Sequence, residues 1–543
     1  MSEYTGTKHL LKLATRRDRI QLSVWLYGTA ALAYSAANSV KSTYKDEKAR
    51  IDAVELLSDN PALLLTRGAP VGSSEGAVSM AQVFSYLCVL AALMSTMAVV
   101  RHTRQNEETG RAELIGAAPV GRQAGLMAAL LLAIQANIGL FIFLAIVLPL
   151  AGLPLAGSLA AAAGVASVGL AFAGVAAVTA QLAGTSRGAN SLAGAAIGAA
   201  FLIRGVGDAL GDVSANGTVV TSAWPSWLSP IGWATLVHPY GDHRWWVLAL
   251  PLAFAALTMT VALRLSAERD LGAGLLADRP GPAEAPAALL SPLGLAWRLQ
   301  RGALLGWLVG IAILGATIGA IGKSAADALE DNADLTDTLG KIGGGGTDDT
   351  AGVFFASMMV MVGAVAAGFT VQALLRLRAE ETSGRLEAVL ATSVSRARWV
   401  AGHVVVSVLG VVALLLVSGV AAGLTYGLAS DDLAQGLGDL TGAALAQAPA
   451  AMVLAGFVVV VFGALPNLTS GAAWGGLALC LVVGQLGGLL DLPQAIRDIS
   501  PFTHLPALPA ADAEPLPFLA LVAVAALFTA AGTALFGKRD LAP

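Results

Sequence analysis

The sequence predicts an all-α membrane protein of twelve transmembrane helices, arranged as two parallel six-helix halves with short helices between spans. Three observations predict it. Of 543 residues, 56% are hydrophobic and only 13% are charged, about half the charge of an ordinary soluble domain, so the chain lacks the polar cover for a water-facing surface. Twelve stretches are long and apolar enough to cross a bilayer. Segments of the first half recur in the second, in order and at nearly one spacing. A soluble single domain, a disordered chain and a disulfide scaffold are excluded. The formal charge of −4 selects no class of partner, and no feature points to nucleic acid. Cys88 and Cys480 lie in apolar stretches and read as buried thiols. The six histidines are scattered and no metal site is expected.

The first six spans are predicted at 20–40, 77–100, 123–150, 158–183, 190–210 and 246–264. The second six are predicted at 303–322, 352–375, 400–425, 446–466, 471–490 and 516–536. The first follows Lys8, Lys12, Arg16, Arg17 and Arg19 and could pass for a signal peptide. Its apolar region is too long for one, so it is read as an uncleaved helix. With the N-terminus inside, the inner segments hold 22 Lys and Arg and the outer segments 9. That bias predicts both termini in the cytoplasm. The outer loop 41–76 dissents with five basic residues, offset by six acids. The outer loop 323–351 is acidic. Pro280, Pro282, Pro286 and Pro292 mark 265–292 as a cytoplasmic linker, giving halves at 1–264 and 293–543.

The repeat rests on three anchors. After the second span the chain reads EETGRAELIGAAPVGR (107–122), and after the eighth EETSGRLEAVLATSVSR (380–396). Gly110 aligns with Gly384, Arg111 with Arg385, Glu113 with Glu387 and Arg122 with Arg396, all at an offset of 274. Ser229-Pro230 aligns with Ser500-Pro501, and Arg269-Asp270-Leu271 with Arg539-Asp540-Leu541. Six spans is an even number, so the halves share one orientation and the repeat is parallel.

Within the repeated segment, Glu107, Glu108 and Thr109, and Glu380, Glu381 and Thr382, offer acids and a hydroxyl suited to a helix start. Leu114 and Ile115, and Leu386, Val389 and Leu390, follow at helical spacing. The segment reads as a short amphipathic helix, resting on the bilayer or the helix bundle, forming a mere inversion loop, or serving as a docking helix for a cytoplasmic partner. Ser229, Pro230 and Trp233 lie in a stretch dense in Trp and Pro before the sixth span, with Ser500, Pro501 and Phe502 in the second half. Aromatic residues suit the membrane interface. Arg204 lies within the fifth span with Asp208 one turn on, where the two can pair on one face. An intramembrane charge is a functional candidate by default. The second half has Gly484 and Gln485 in that region. Gln82, Ser85, Tyr86, Met94 and Met97 in the second span, and Ser357, Met358, Met359 and Met361 in the eighth, combine polar groups with adaptable Met.

The repeated segment, six spans per half and the Ser-Pro before the sixth span resemble the membrane subunits of ABC-type exporters. The resemblance covers essentially the whole chain. It is most specific to the fused twelve-span permeases of bacterial polyketide-antibiotic exporters of the tetronasin-resistance type, among multidrug exporters with the type V fold. It implies that Glu107 to Gly116 and Glu380 to Leu390 form coupling helices seated in a separate ATP-binding subunit. By the same resemblance, the Ser-Pro elements form an outer gate capping the pathway. The second and fifth spans line that pathway, which makes Gln82, Ser85, Tyr86, Met94, Met97, Arg204, Asp208, Ser357, Met358, Met361 and Gln485 its candidates. SPFTH replaces SPIGW in the second half, so the halves need not be equivalent.

A nucleotide-binding loop would read G-x-x-x-x-G-K-[ST]. Gly322-Lys323-Ser324 falls short of it, with Thr317 at the required first glycine. No catalytic set is expected on this chain. ATP and magnesium belong to the partner, expected in two copies per chain. The implied function is outward export of apolar or amphipathic compounds across a bacterial plasma membrane. The competing reading is a gradient-driven secondary transporter with the same parallel halves. Such coupling calls for buried acids at mid-membrane, and the spans offer little beyond Asp208. A membrane enzyme ranks below both, because no cluster of acids, His or nucleophile sits at membrane depth.

Overall fold

The computed structural model describes residues 2–276, 283–330, 350–486 and 493–541, apart from the side chains of 324, 325, 327–330, 350, 485 and 486. Most of the acidic loop 323–351 therefore lies outside the described residues. The chain forms two compact units, Met1–Gly281 and Pro282–Pro543. It is an all-α membrane protein. Among the described residues, eleven helices are long and apolar enough to cross a membrane.

The first unit opens with α1 (Thr7–Thr43), then the short α2 (Glu47–Ser58) and α3 (Pro61–Thr66). The predicted first span falls in α1, which is one continuous helix but not among the eleven. Its Tyr, Ser, Asn and Thr content dilutes its hydropathy. α1 packs on the next two long helices (Glu75–His102 and Ala124–Leu150), with Ala33 and Ala37 in the core, and is also tied down by charge. Buried Asp18 pairs with Arg101 at 3.1 Å and with His102 at 2.8 Å, both on the next long helix. That helix, α4 (Glu75–His102), starts at Ser74, whose hydroxyl accepts from the Ala77 amide as an N-cap should. α5 (Arg104–Glu108) and α6 (Arg111–Gly116) follow, then α7 (Ala124–Leu150), α8 (Leu155–Leu182) and α9 (Ser186–Ala209). A two-stranded ribbon, β1 (Asp212–Val213) and β2 (Val220–Thr221), leads to a 3-10 turn (Trp224–Leu228), α10 (Pro230–Thr235) and α11 (Ala249–Glu268).

Between helices in lipid there is no hydrophobic driving force, so small residues that let backbones approach carry the packing. α8 shows this. It is mostly Ala and Gly, is largely buried, and packs against α4, α7 and α11. A Cβ at Gly169 would lie 1.8 Å from Asn137 Oδ1 on α7. Buried Asn137 in turn donates to Ser95 Oγ on α4 at 2.8 Å, a polar tie between α7 and α4 that the missing side chain of Gly169 leaves room for.

The second unit runs α12 (Pro292–Glu330), α13 (Thr350–Thr382), α14 (Arg385–Leu390), α15 (Arg396–Ser430), α16 (Leu433–Leu445), α17 (Ala448–Ala464), α18 (Thr469–Leu486), α19 (Gln494–Arg497) and α20 (Pro515–Lys538). α12 and α15 pack through small residues, with Thr425 Oγ1 donating to the Ala316 carbonyl at 2.9 Å. α17 and α20 meet at Gly463, where a Cβ would lie 2.3 Å from the Gly532 carbonyl. The Gly322-Lys323-Ser324 stretch lies inside α12, so its backbone is helical and forms no phosphate-cradling loop.

Candidate functional site

The repeated segment does not start a helix with its acids. Glu107 and Glu108 end α5, and Glu380 to Thr382 end α13. The short helices begin only after glycine, with Gly110 and Gly384 each at φ 70°, a left-handed conformation that glycine adopts without strain. Each closes the preceding helix. The Gly110 amide donates to the Glu107 carbonyl and the Gly384 amide to the Glu381 carbonyl, both at 3.0 Å, in the manner of helix C-terminal caps. The hydroxyls of Thr109 and Thr382 donate backward, to the Gln105 and Arg378 carbonyls, and cap no N-terminus. A glycine turn supplies the chain reversal, which removes the need for a side-chain cap.

The acids do something else. Glu107 pairs with Arg104 at 2.8 Å and with Arg269, just past α11, at 2.5 Å, and accepts from the Gly272 amide at 3.2 Å. Arg122 donates to the Arg269 carbonyl at 2.7 Å. Leu275 and Leu276 donate to the Gln181 and Leu182 carbonyls of α8, so 269–276, at the head of the expected linker, is docked on the unit. In the second unit Glu381 pairs with Arg378 and with Arg539, each at 2.9 Å. Arg396 donates to the carbonyls of Phe536 at 2.9 Å and Arg539 at 2.5 Å. Glu380 pairs with Arg376 at 2.8 Å and Arg385 at 3.0 Å. Each unit thus builds the same lock from residues at the repeat offsets. Glu108 stands apart. It is exposed and accepts from Ser186 Oγ.

What the short helices present outward differs from what anchors them. No residue of α6 is buried, and Leu114 is 78% exposed. Arg111, Glu113, Arg385 and Glu387 are exposed, Val389 and Leu390 half-buried, and Leu386 buried.

Arg204 and Asp208 do pair, at 3.0 Å and with both side chains fully buried. Arg204 also donates to the Leu64 carbonyl at 3.3 Å and the Leu65 carbonyl at 2.8 Å, and lies over the Phe201 ring at 4.7 Å. Asp208 accepts from Ser222 at 2.6 Å, Ser226 at 3.1 Å and the Ala69 amide at 3.3 Å. A buried charge is tolerable only when so surrounded. The arrangement clamps α9 to the segments before α4 and after β2.

The remaining candidates divide by helix face. On α4, Gln82, Tyr86 and Met97 are half-buried or exposed, whereas Ser85 and Met94 are buried in the unit. Tyr86 sits 6.3 Å from Phe201. On α13, Ser357 is buried and Met358 and Met361 are half-buried. Gln485 lies at the end of α18, with its side chain outside the described residues. Ser229 caps α10, accepting from the Gly232 amide at 3.2 Å and donating to the Ala200 carbonyl at 2.6 Å. Trp233 donates its indole N–H to the Trp227 carbonyl at 2.6 Å. Ser500, Pro501 and Phe502 are buried at a 3-10 turn. Sequence reasoning missed Arg104, Arg269, Arg378 and Arg539 as partners of the acids. The signal was present in the third repeat anchor, because Arg269 and Arg539 are the basic halves of the two locks.

Comparison with known proteins bears on this geometry. Residues 289–537 match the family described as Multidrug efflux system permease Rv1217c, C-terminal domain. Over 543 residues the chain is 40% identical to the Multidrug efflux system permease protein Rv1217c of Mycobacterium tuberculosis, spanning 99% of this chain and 96% of that protein.

Proposed function

This chain belongs to the multidrug efflux system permease family, and on that premise we propose that it is the membrane subunit of an ATP-driven exporter. A permease is a transporter component. In this reading a separate ATP-binding subunit, two copies per chain, docks on α6 and α14 and supplies the ATP and magnesium chemistry. The chain lies in a bacterial plasma membrane with both termini in the cytoplasm, in two parallel repeats of six helices. It moves apolar or amphipathic compounds, drugs and polyketide antibiotics among them, outward.

The observation that carries the reading is the pair of matched locks. A coupling element must take a push on its outer side without yielding and pass it to spanning helices. α6 and α14 each have an exposed side. Each is joined through a buried or half-buried glutamate to an arginine at the end of its unit's last helix. Charge-assisted bonds of this kind are strong and directional, so they carry displacement better than a flexible loop would.

The test is purification of the tagged full chain in mild detergent, with mass spectrometry of what accompanies it, followed by ATP turnover and efflux in vesicles. Recovery of an ATP-binding subunit, with efflux that needs ATP, supports the proposal. A chain that arrives alone and transports in vesicles on a proton gradient without ATP overturns it in favour of gradient-driven exchange.

A further inference from the structure

The first unit holds a cavity of about 500 Å³ at the end where α4 passes into α5 and α6, within the ~300–1,000 Å³ range of small-ligand sites. Leu13, Ile115 and Leu126 give it apolar walls, and Arg17, Arg111 and Arg122 reach it with guanidinium groups. None of these three arginines makes an ion pair among the described residues. Among the described residues, Arg17 hydrogen-bonds only Asn106 Oδ1, at 3.0 Å. Partial burial, then the nearby Arg111 and Arg101, hold Arg17 below its ordinary pKa. Glu107 also reaches the cavity but is engaged by Arg104 and Arg269, which leaves Asp270 as the one other acid on the lining.

The repeat shows that this space is specific to one half. At the offset of 274, Ala112, Gly125 and Ala129 of the lining correspond to Leu386, Trp399 and His403. At the offset of 270 set by the two Arg-Asp-Leu anchors, Ser266 corresponds to Phe536. All four second-unit side chains are buried, with the Trp399 ring 5.8 Å from Phe536 and 5.2 Å from His403. The second unit fills with aromatic rings what the first leaves open.

We propose that the first-unit cavity binds an anionic amphiphile, its phosphate or carboxylate head held by Arg17, Arg111 and Arg122 and its alkyl chain lying on Leu13, Ile115 and Leu126. The site lies at the end of spanning helices, which is headgroup level whichever side faces the cytoplasm, so the inference stands independently of ATP coupling. Arg suits such a head because its planar fork matches carboxylate and phosphate oxygens.

The experiment places the full chain in phosphatidylcholine nanodiscs doped with phosphatidylglycerol carrying a photoreactive acyl chain, and maps the label by peptide mass spectrometry. The expected label falls on 10–17 and 111–126. It drops about tenfold in R17Q/R111Q, as expected for lost bonds to a charged head, and in G125W/S266F, which copies the side chains of the second unit. Thermal melting of both variants checks that they fold. Label elsewhere, equal label from phosphatidylcholine with the same acyl chain, or label unchanged in both folded variants overturns the proposal. Dodecyl phosphate added in solution separates the sources. Displacement of the label extends the site to free amphiphiles, and its retention confines the site to bilayer lipid, both with an anionic head.

Discussion

Glu381 Oε1 lies 2.9 Å from Arg539 Nη1, although 158 residues of chain separate them. The contact joins the end of α13, where the chain turns into α14, to the residue just past α20. Glu107 and Arg269 make the equivalent contact in the first unit at 2.5 Å. In each unit the helix before the short helix and the last helix are joined at one point by opposite charges.

Removing one partner of such a buried pair leaves the other charge stranded, at a cost of about 3 kcal/mol or more. Glu381→Ala is therefore expected to lower the thermal stability of the second unit. Glu107→Gln with Glu381→Gln keeps size and some hydrogen bonding while removing the charge. That double variant is expected to insert normally and lose most stimulation of the partner's ATP turnover. Wild-type turnover and efflux would remove the coupling role from these locks.

Arg204 is a clamp by its geometry, and a clamp is read through stability. Arg204→Leu leaves Asp208 buried without its cation and is expected to cost about 3–5 kcal/mol. Arg204→Leu with Asp208→Leu is expected to recover part of that, because two apolar side chains strand no charge. Denaturant unfolding in detergent measures both. A single variant as stable as wild type would contradict the clamp.

Tyr240 is wedged between α4 and α8. A Cβ on Gly76 would lie 2.4 Å from its ring and one on Gly157 2.1 Å from it, and its hydroxyl is 2.8 Å from Ser158 Oγ. Burial pushes that hydroxyl up to about 12. The surrounding turn is strained, with His238 at φ 53°, Tyr240 at 64° and His243 at 47°, each costing on the order of 1–3 kcal/mol. Gly157→Val is expected to destabilise by about 1–3 kcal/mol through overpacking, and Tyr240→Ala in the same chain to relieve the clash. Melting temperatures of the single and double variants decide it, and additive losses would refute the wedge.

His238 Nδ1 and Asp242 Oδ1 are 2.6 Å apart, with Arg244 Nε 2.6 Å from Asp242 Oδ2. Burial, and then Arg244, hold His238 below its ordinary value. Burial pushes Asp242 upward, but hydrogen bonds from Arg244 and His238 outweigh it and leave the carboxyl lowered. A lowered His takes up its proton more readily unfolded, so stability is lost as pH falls through the ordinary His value of about 6.5. A lowered Asp adds stability above its unfolded value of about 3.9, which is lost on further acidification. Melting temperature in detergent is expected to rise with pH from about 4 to 7, with the step near 6.5 weakened in His238→Gln. An unchanged profile in that variant would show that His238 does not titrate as described.

The resemblance to exporters singles out the repeated segment as a coupling element, but the repeat is anchored there only from the Gly-Arg pair onward. Extended one turn back, the offset of 274 sets Glu107 against Glu381, and those two form the locks while Glu108 is exposed. In sequence, acids and a hydroxyl just before an apolar run suit N-terminal caps of the short helices. Local pattern cannot show that Gly110 and Gly384 turn the chain first.

By itself the sequence determined the class of the protein, the place of nearly every spanning helix and the internal repeat. The bilayer accounts for that legibility. It demands about 20 apolar residues per helix and satisfies backbone groups within each helix, so a local stretch suffices to identify a span. It also held the residue pairs that meet, as repeat anchors, without saying that they meet. Tertiary structure alone decided that Glu107 finds Arg269, that Arg204 is enclosed by the Leu64 and Leu65 carbonyls, and that Gly125 leaves open what Trp399 closes. Each depends on contacts between distant segments, whose energies are set by burial and distance in space and leave no local periodicity to read.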